Sequence, residues 1–487
     1  MKYILTWKPR QYKEELKMSS INDRICIIGG GPAGVSAAMY LQIKGYQNYT
    51  IFEKNSRVGG KCYSPTVRYS GYERTYEMGA IMGAVTYHAV HEVEKFAGVG
   101  HSDGPNMRRM YRDSTGKEIF PFDPKKNFSI KKTADLMRLK AQMKKLVAIM
   151  ETKYKGYDCY GHRGVASGRY SGLSKQLHNS LEHIEGINPN LKDLALPFDE
   201  FCRLNGVEDV MKIWIGPFTS FGYGFFDEIP AAYVMKYLDT TTAIEFVNMR
   251  LWTWKNGTQN IYEEANKKLV HPAVLNTEVV KIVRPEEGTE GKILVTVKDA
   301  DGERTEEFDK LIVTTPLDHF AEYADARDEE KDLFSRIIHE KYVDFLATFE
   351  RGQGPTISGY IFDNMVPERL GHAMVYYHRW EELGGNCPCT VYALRNHAGD
   401  KDADYDYTIN AMQDDMRVCG FPVKDRHYEQ EVYYCPHVSP EDYAAGWYDR
   451  LEEMQGRQNT YYAGEIISFG DMEDTCAASR DLVGRFF

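Results

Sequence analysis

The stretch "ICIIGGGPAGVSAAMYLQIKGYQNYTIFEK", Ile25 to Lys54, decides the fold. It runs 19 residues without a charge before Lys44, which is the length of a membrane-spanning helix. Such a helix would have to absorb Gly29, Gly30, Gly31, Pro32 and Gly34. Each glycine costs about 1 kcal/mol and a proline about 3 kcal/mol relative to alanine, so a membrane segment is rejected. A cofactor cradle accounts for every residue instead. Residues 25–28 form a short apolar run of the buried parallel-strand type. Gly29, Gly31 and Gly34, with Pro32 and Ala33 between them, match G-x-G-x-x-G. The first glycine allows a tight turn, the second a close backbone approach to a pyrophosphate, and the third helix–strand packing. A helix over 33–44 closes at Gly45. A second strand over 49–52 then delivers Glu53, placed to hydrogen-bond an adenosine ribose.

Glu53 fits NAD or FAD and repels the 2′-phosphate of NADP. The following "RVGGK" adds Gly59, Gly60 and Lys61, a close backbone plus a cation for a pyrophosphate. The chain of 487 residues is long enough for two or three domains. Its 43% hydrophobic and 27% charged content is that of a globular protein. A net charge of -11 argues against nucleic-acid binding. Nine cysteines lie scattered with one close pair, Cys387 and Cys389, and the 14 histidines show no ligand spacing, so no metal is expected. The N-terminal "MKYILTWKPRQYKEELK" is too charged for a signal peptide. A cytoplasmic protein with reduced thiols is expected. Serine-hydrolase, metalloprotease and P-loop motifs are missing.

"GGGPAG", "EKNSRVGGK" and "YEMGAIMG" (with Gly79, Ala80, Ile81 and Met82) resemble the FAD-binding segments of the flavin amine oxidase superfamily. So do "NTEVVKIVR", "DKLIVTTP" and "NTYYAGEIISFGDMED". The resemblance implies non-covalently bound FAD, with adenine near Val279 and the ribityl chain near Gly464 and Glu465. A helix beginning around Met472 and Glu473 would point its positive end at the flavin. One departure matters: amine oxidases commonly read "GYMEGA" where this chain has "GDMEDT", so Asp471 replaces a cage tyrosine. Amine oxidation is therefore doubtful on sequence.

Longer segments, among them "GPFTSFGYGFFDEIPAAYVMKYLD", "LWTWKNGTQ" and "PTISGYIFDNMVPERLGHAMVYYHRW", resemble the bacterial polyenoic fatty acid isomerases from about residue 20 onward. That resemblance implies a redox-neutral shift of a double bond in a linoleate-like polyunsaturated fatty acid, giving a conjugated diene. The flavin would take up a hydride and return it, so no catalytic acid or base side chain is expected. Carried over by motif, Arg109 would meet the substrate carboxylate and Phe246 would gate the tunnel beside it. The residues alone leave other readings open: a flavin-dependent oxidase or desaturase, or a flavin-containing lipid-binding protein. The aromatic run 216–237 suits core packing and tunnel lining equally.

The expected fold is α/β: a Rossmann-like, two-dinucleotide-binding FAD domain built from 20–105, 250–324 and 440–487. An α+β substrate domain is interleaved, helical over 106–249 and sheet-containing over 325–439. Residues 1–19 are an N-terminal extension, and an insertion lies around 162–190. The run "DARDEEKDLF" reads as a solvated helix start.

Overall fold

The computed structural model describes residues 19–103, 108–123, 126, 129–155, 188–238, 242, 245, 250–351, 357–380, 387–398, 401–467 and 470–487. Phe246 and nearly all of the N-terminal extension and the insertion lie outside them.

The quoted stretch forms β1 (Ile25–Ile28), α1 (Pro32–Ile43) and β2 (Tyr49–Phe52). Next come α2 (His88–Ala97), β3 (Arg108–Arg112), β4 (Glu118–Ile119) and α3 (Ile130–Glu151). The second half begins with α4 (Gln259–Lys268), then β5 (Glu278–Val283), β6 (Ile293–Asp299), β7 (Gly302–Phe308) and β8 (Lys310–Val313). It continues through β9 (Ile338–Phe349), β10 (Ile357–Ile361), β11 (Val375–His378), β12 (Cys389–Leu394) and β13 (Val423–His437). β14 (Thr460–Tyr462) and α5 (Met472–Phe486) come last.

The nucleotide sheet has the order β2–β1–β8–β14 and is wholly parallel. Every residue of β1 and β8 is buried, because helices cover both faces of such a sheet. The turn from β1 to α1 depends on two glycines. Gly29 has φ +99°, a conformation costly for any residue with a Cβ. At Gly34 a Cβ would stand 1.9 Å from the Gly29 carbonyl oxygen, so only glycine lets α1 sit down on the strand. The Ser479 hydroxyl of α5 donates to the Ala33 carbonyl at 3.0 Å, joining the last helix to the first. Strands β5–β7 form a separate antiparallel meander beside this sheet.

The second large sheet has the order β13–β9–β12–β11–β10–β3–β4. Its β10, β11 and β12 fall on the segments "ISGYIFD", "HAMVYYHRW" and "TVYALRN". β3 and β4 come from the region read as helical, and β3 pairs parallel with β10. The "RRMYR" of β3 is largely charged and only partly buried, so it lacks the apolar alternation that marks a strand.

One helix also departs from its sequence reading. Asp328–Phe334 is helical as expected, but it is not simply solvated. Glu330 is 0% exposed and takes two hydrogen bonds of 2.8 Å from Arg284, the residue after β5. Tyr462 of β14 donates to the same carboxylate at 2.5 Å. The helix is thereby locked to the meander and to the nucleotide sheet. A buried carboxylate must be paired in this way.

Candidate active site

A cavity of about 900 Å³ runs from the carboxyl ends of β1, β2 and β8 to the inner face of the second sheet. Parallel α/β sheets bind ligands at this end. Of the expected cofactor residues, Gly29, Gly31, Pro32, Ala33, Glu53, Gly60, Lys61 and Gly79 line it. So do Ala80, Ile81, Met82, Val279, Gly464, Glu465 and Met472. Three do not. Gly34 sits beneath the turn, as its packing requires. The Gly59 amide donates to the Gly30 carbonyl at 2.8 Å, clasping one loop to the other. Glu473 accepts hydrogen bonds from the amides of Ala89 and Val90 at 2.8 and 2.9 Å. The start of α2 has no side-chain cap of its own, so its orphan amides and positive dipole end draw the carboxylate away from the cavity.

The nucleotide end is prepared for an anion and a ribose. The N-terminus of α1 carries no side-chain cap and meets the cavity at Gly31, Pro32 and Ala33, where a pyrophosphate fits the helix dipole. Glu53 is 6% exposed. Its Oε2 accepts from the Gly30 amide at 2.7 Å, and its Oε1 from the Asn55 amide and side chain at 2.8 and 2.7 Å. Lys61, expected on a pyrophosphate, instead binds Glu465 at 2.6 Å, because opposite charges face each other across the cavity. These residues fit a flavin dinucleotide: a buried carboxylate at the ribose position, an uncapped helix end, and a cleft of suitable size.

The other end is aromatic. Tyr342 stacks on Tyr392 and Tyr434 at 5.4 and 5.7 Å, and Tyr434 meets Tyr223 at 5.5 Å. Tyr87, Phe221, Tyr237 and Leu251 complete the wall. The Tyr342 hydroxyl donates to the Ser220 carbonyl at 2.7 Å and that of Tyr392 to the Glu77 carbonyl at 2.8 Å, so the ring faces are fixed. Burial pushes the phenols of Tyr87, Tyr223, Tyr342, Tyr392 and Tyr434 well above their ordinary range. They are neutral at ordinary pH. The aromatic run 216–237 divides: Pro217, Phe221, Tyr223 and Tyr237 line the cavity, whereas Phe218, Phe225 and Phe226 are core.

Asp471 lines the cavity and caps α5, accepting from the Asp474 amide at 2.7 Å. Behind the wall, Glu77 and Arg379 form a buried ion pair at 3.1 Å. Arg379 also donates to the Trp254 carbonyl at 2.8 Å, and Glu77 accepts from the Thr258 amide at 3.1 Å. Sequence reading missed this pair, and the tyrosines of β9, β12 and β13 as well. Its available signal was the charge of Glu77 and Arg379 inside otherwise apolar segments.

Arg109 does not line the large cavity. It faces a smaller one of about 320 Å³ with Arg108, Tyr111, Phe120, Phe122 and Lys126, and it hydrogen-bonds Tyr111. Between the two cavities stand Tyr111, Tyr360, Tyr377 and Phe221. Tyr111 lies 5.7 Å from Tyr360, the Tyr360 and Tyr377 hydroxyls are 3.5 Å apart, and Tyr377 lies 6.2 Å from Phe221. The expected tunnel mouth is therefore separated from the cavity by rings. The expected gate, Phe246, is outside the described residues.

The family model described as flavin containing amine oxidoreductase matches residues 32–342. The chain belongs to that family. A crystal structure of the CLA-producing fatty acid isomerase from P. acnes is 44% identical, with a TM-score of 0.83 over 96% of this chain and 100% of that one. A polyenoic fatty acid isomerase of Ptilota filicina is 24% identical over 67% of this chain, and the match spans 65% of that relative's length. Cyclohexylamine oxidase of Brevibacterium oxydans IH-35A, 13% identical at a TM-score of 0.62 over 95% of this chain and 98% of that one, shares the fold. Among the described residues no helix is long and apolar enough to cross a membrane.

Proposed function

We propose that this flavoprotein is an isomerase that converts a linoleate-like polyunsaturated free fatty acid into a conjugated diene, using non-covalently held FAD. The observation that carries this reading is the neutral aromatic chamber continuous with the dinucleotide cradle. FAD bound there would supply reversible hydride acceptance, which moves a double bond without net oxidation and needs no second substrate.

The chain's own residues have three tasks. Gly29, Gly31, Glu53 and the start of α1 hold the dinucleotide. Tyr87, Tyr223, Tyr342, Tyr392 and Tyr434 exclude water and present π faces to a delocalised carbocation, each worth roughly 0.5–2 kcal/mol when desolvated. Arg109 takes the substrate carboxylate as a bidentate partner, and the acyl chain reaches the flavin cavity only when the rings of Tyr111, Tyr360, Tyr377 and Phe221 part. No side chain in this scheme gains or loses a proton. The Cys62 thiol in the cavity wall is pushed well up by burial. It stays protonated and a poor nucleophile, which supports a non-covalent cofactor.

The test is anaerobic incubation of the flavin-loaded protein with linoleate, following diene absorbance and the flavin spectrum together. Rising diene absorbance with the flavin oxidised at the end supports the isomerase. A flavin that bleaches and recovers only on admitting oxygen would make the protein an oxidase or desaturase. Ligand binding with neither change would leave a lipid carrier.

A further inference from the structure

Away from the flavin cavity, the fold brings His91, Glu94 and His101 together, although their spacing in sequence gave no sign of a ligand cluster. His91 and Glu94 lie three residues apart on α2, and Gly98 turns the chain after that helix in the left-handed conformation. The turn brings His101 back over Glu94. Glu94 Oε2 stands 3.0 Å from Nδ1 of His91 and 3.0 Å from Nδ1 of His101. The three ligand atoms all lie within 4.8 Å of one another.

Each side chain is held for this task by its neighbours. Glu94 is 2% exposed, and its other oxygen accepts a hydrogen bond from the Trp254 indole N–H. The His101 ring stacks on Trp252 at 3.9 Å. Among the described residues no lysine or arginine pairs with Glu94; the titratable groups beside it are the two imidazoles. A buried carboxylate must be hydrogen-bonded or paired, and two imidazole nitrogens converging on one of its oxygens make a place where a cation can bind. His91 is exposed, so one side of the cluster opens to water.

We infer that His91, Glu94 and His101 form a divalent transition-metal site, with two imidazole nitrogens, one carboxylate oxygen and water completing a tetrahedron. Metal–ligand bonds of about 2.0–2.2 Å place tetrahedral ligands roughly 3.4 Å apart. The two 3.0 Å contacts need to open by a few tenths of an ångström, and the imidazole nitrogens, which lie within 4.8 Å of each other, need to settle at the same spacing. Two imidazoles and a carboxylate suit zinc, cobalt or nickel better than magnesium or calcium. Trp254 orients the carboxylate from behind, as outer partners of metal ligands do. The bound ion would tie α2 to Ser102–Asp103, which pairs with Trp252–Thr253 beside the Arg379 that braces the flavin cavity. Its role would be to fix that junction rather than to take part in the reaction.

The test titrates Zn2+ into the flavin-loaded, chelator-stripped full chain by calorimetry, with Co2+ as a spectroscopic probe of coordination. The expected result is one Zn2+ per chain and a higher melting temperature. His91→Ala and His101→Ala should each weaken binding at least tenfold and lose the thermal gain, with the flavin spectrum intact as evidence of folding. Should an alanine variant fold poorly, His91→Gln and His101→Asn keep a hydrogen bond to Glu94 and should show the same loss. Binding below one equivalent, or of equal strength in the histidine variants, would overturn the site and leave a hydrogen-bonded cluster.

Discussion

Arg109 and Glu53 separate the two kinds of recognition that the molecule needs. If Arg109 meets the substrate carboxylate as proposed, Arg109→Leu should raise KM for linoleate roughly 10–100-fold, the value of a charged hydrogen bond. The same variant should leave kcat within about threefold, because the reacting carbons lie far from the charge. The methyl ester of linoleate supplies the control: wild type and variant should handle it alike, and a variant equally impaired on both would remove Arg109 from carboxylate binding. Glu53 is held by three hydrogen bonds before any ligand arrives. Glu53→Ala should weaken FAD binding by about tenfold or more, read from flavin fluorescence on dilution. Glu53 was legible in sequence through its spacing from the glycines; Arg109 was named through resemblance alone, and the structure sets it beside the smaller cavity. Lys61 shows the limit of such reading, since its partner Glu465 lies 404 residues away and no local pattern announces it.

At the scale of elements, α2 depends on α5 for its N-terminal cap. Glu473→Gln should cost about 1–3 kcal/mol, since two buried amides lose a charged acceptor, and the melting temperature should fall accordingly. Flavin content and spectrum should stay unchanged; a variant that lost FAD at unchanged stability would return Glu473 to the cofactor site. Sequence placed Glu473 beside the flavin because its segment does reach the cavity at Asp471 and Met472. The direction of one side chain within a helical turn depends on which neighbour needs it, here the uncapped start of α2. Strands β10–β12 were legible because their apolar residues run at strand length. β3 and β4 were hidden by their charge.

Across the whole molecule, two buried groups predict a loss of stability in acid. Burial alone would raise the Glu330 carboxyl, but hydrogen bonds from Arg284, Arg327 and Tyr462 hold it down at about 2, against 4.5 for a free glutamate. Its contribution is complete above pH 4.5 and is lost as pH falls toward 2, by about 3 kcal/mol. Burial lowers His437 from 6.5 to about 4, so the unfolded chain takes up a proton that the native one refuses. That effect removes about 3 kcal/mol more as pH falls from 6.5 to 4. The two contributions are read by difference: the stability gap between wild type and Glu330→Gln in urea midpoints should shrink as pH falls from 4.5 to 2. A gap independent of pH over that range would refute the assignment of Glu330. Neither group was legible in sequence: the acidic run around Glu330 looked solvated, and His437 carries no motif. Their roles arise from contacts that only the closed fold makes.

The order of strands in the nucleotide sheet also governs how the protein can be made. β1 leaves the ribosome early, yet its neighbour β8 begins at residue 310 and the outer strand β14 at residue 460. Until β8 is synthesised, one edge of β1 stays open, and α1 lacks α5 as a partner until residues 472–486 emerge. Exposed strand edges and apolar helix faces invite aggregation. The nascent chain therefore carries its cofactor cradle unfinished until α5 has been made. A premature stop before α5 should yield insoluble, colourless protein rather than a weakly active fragment.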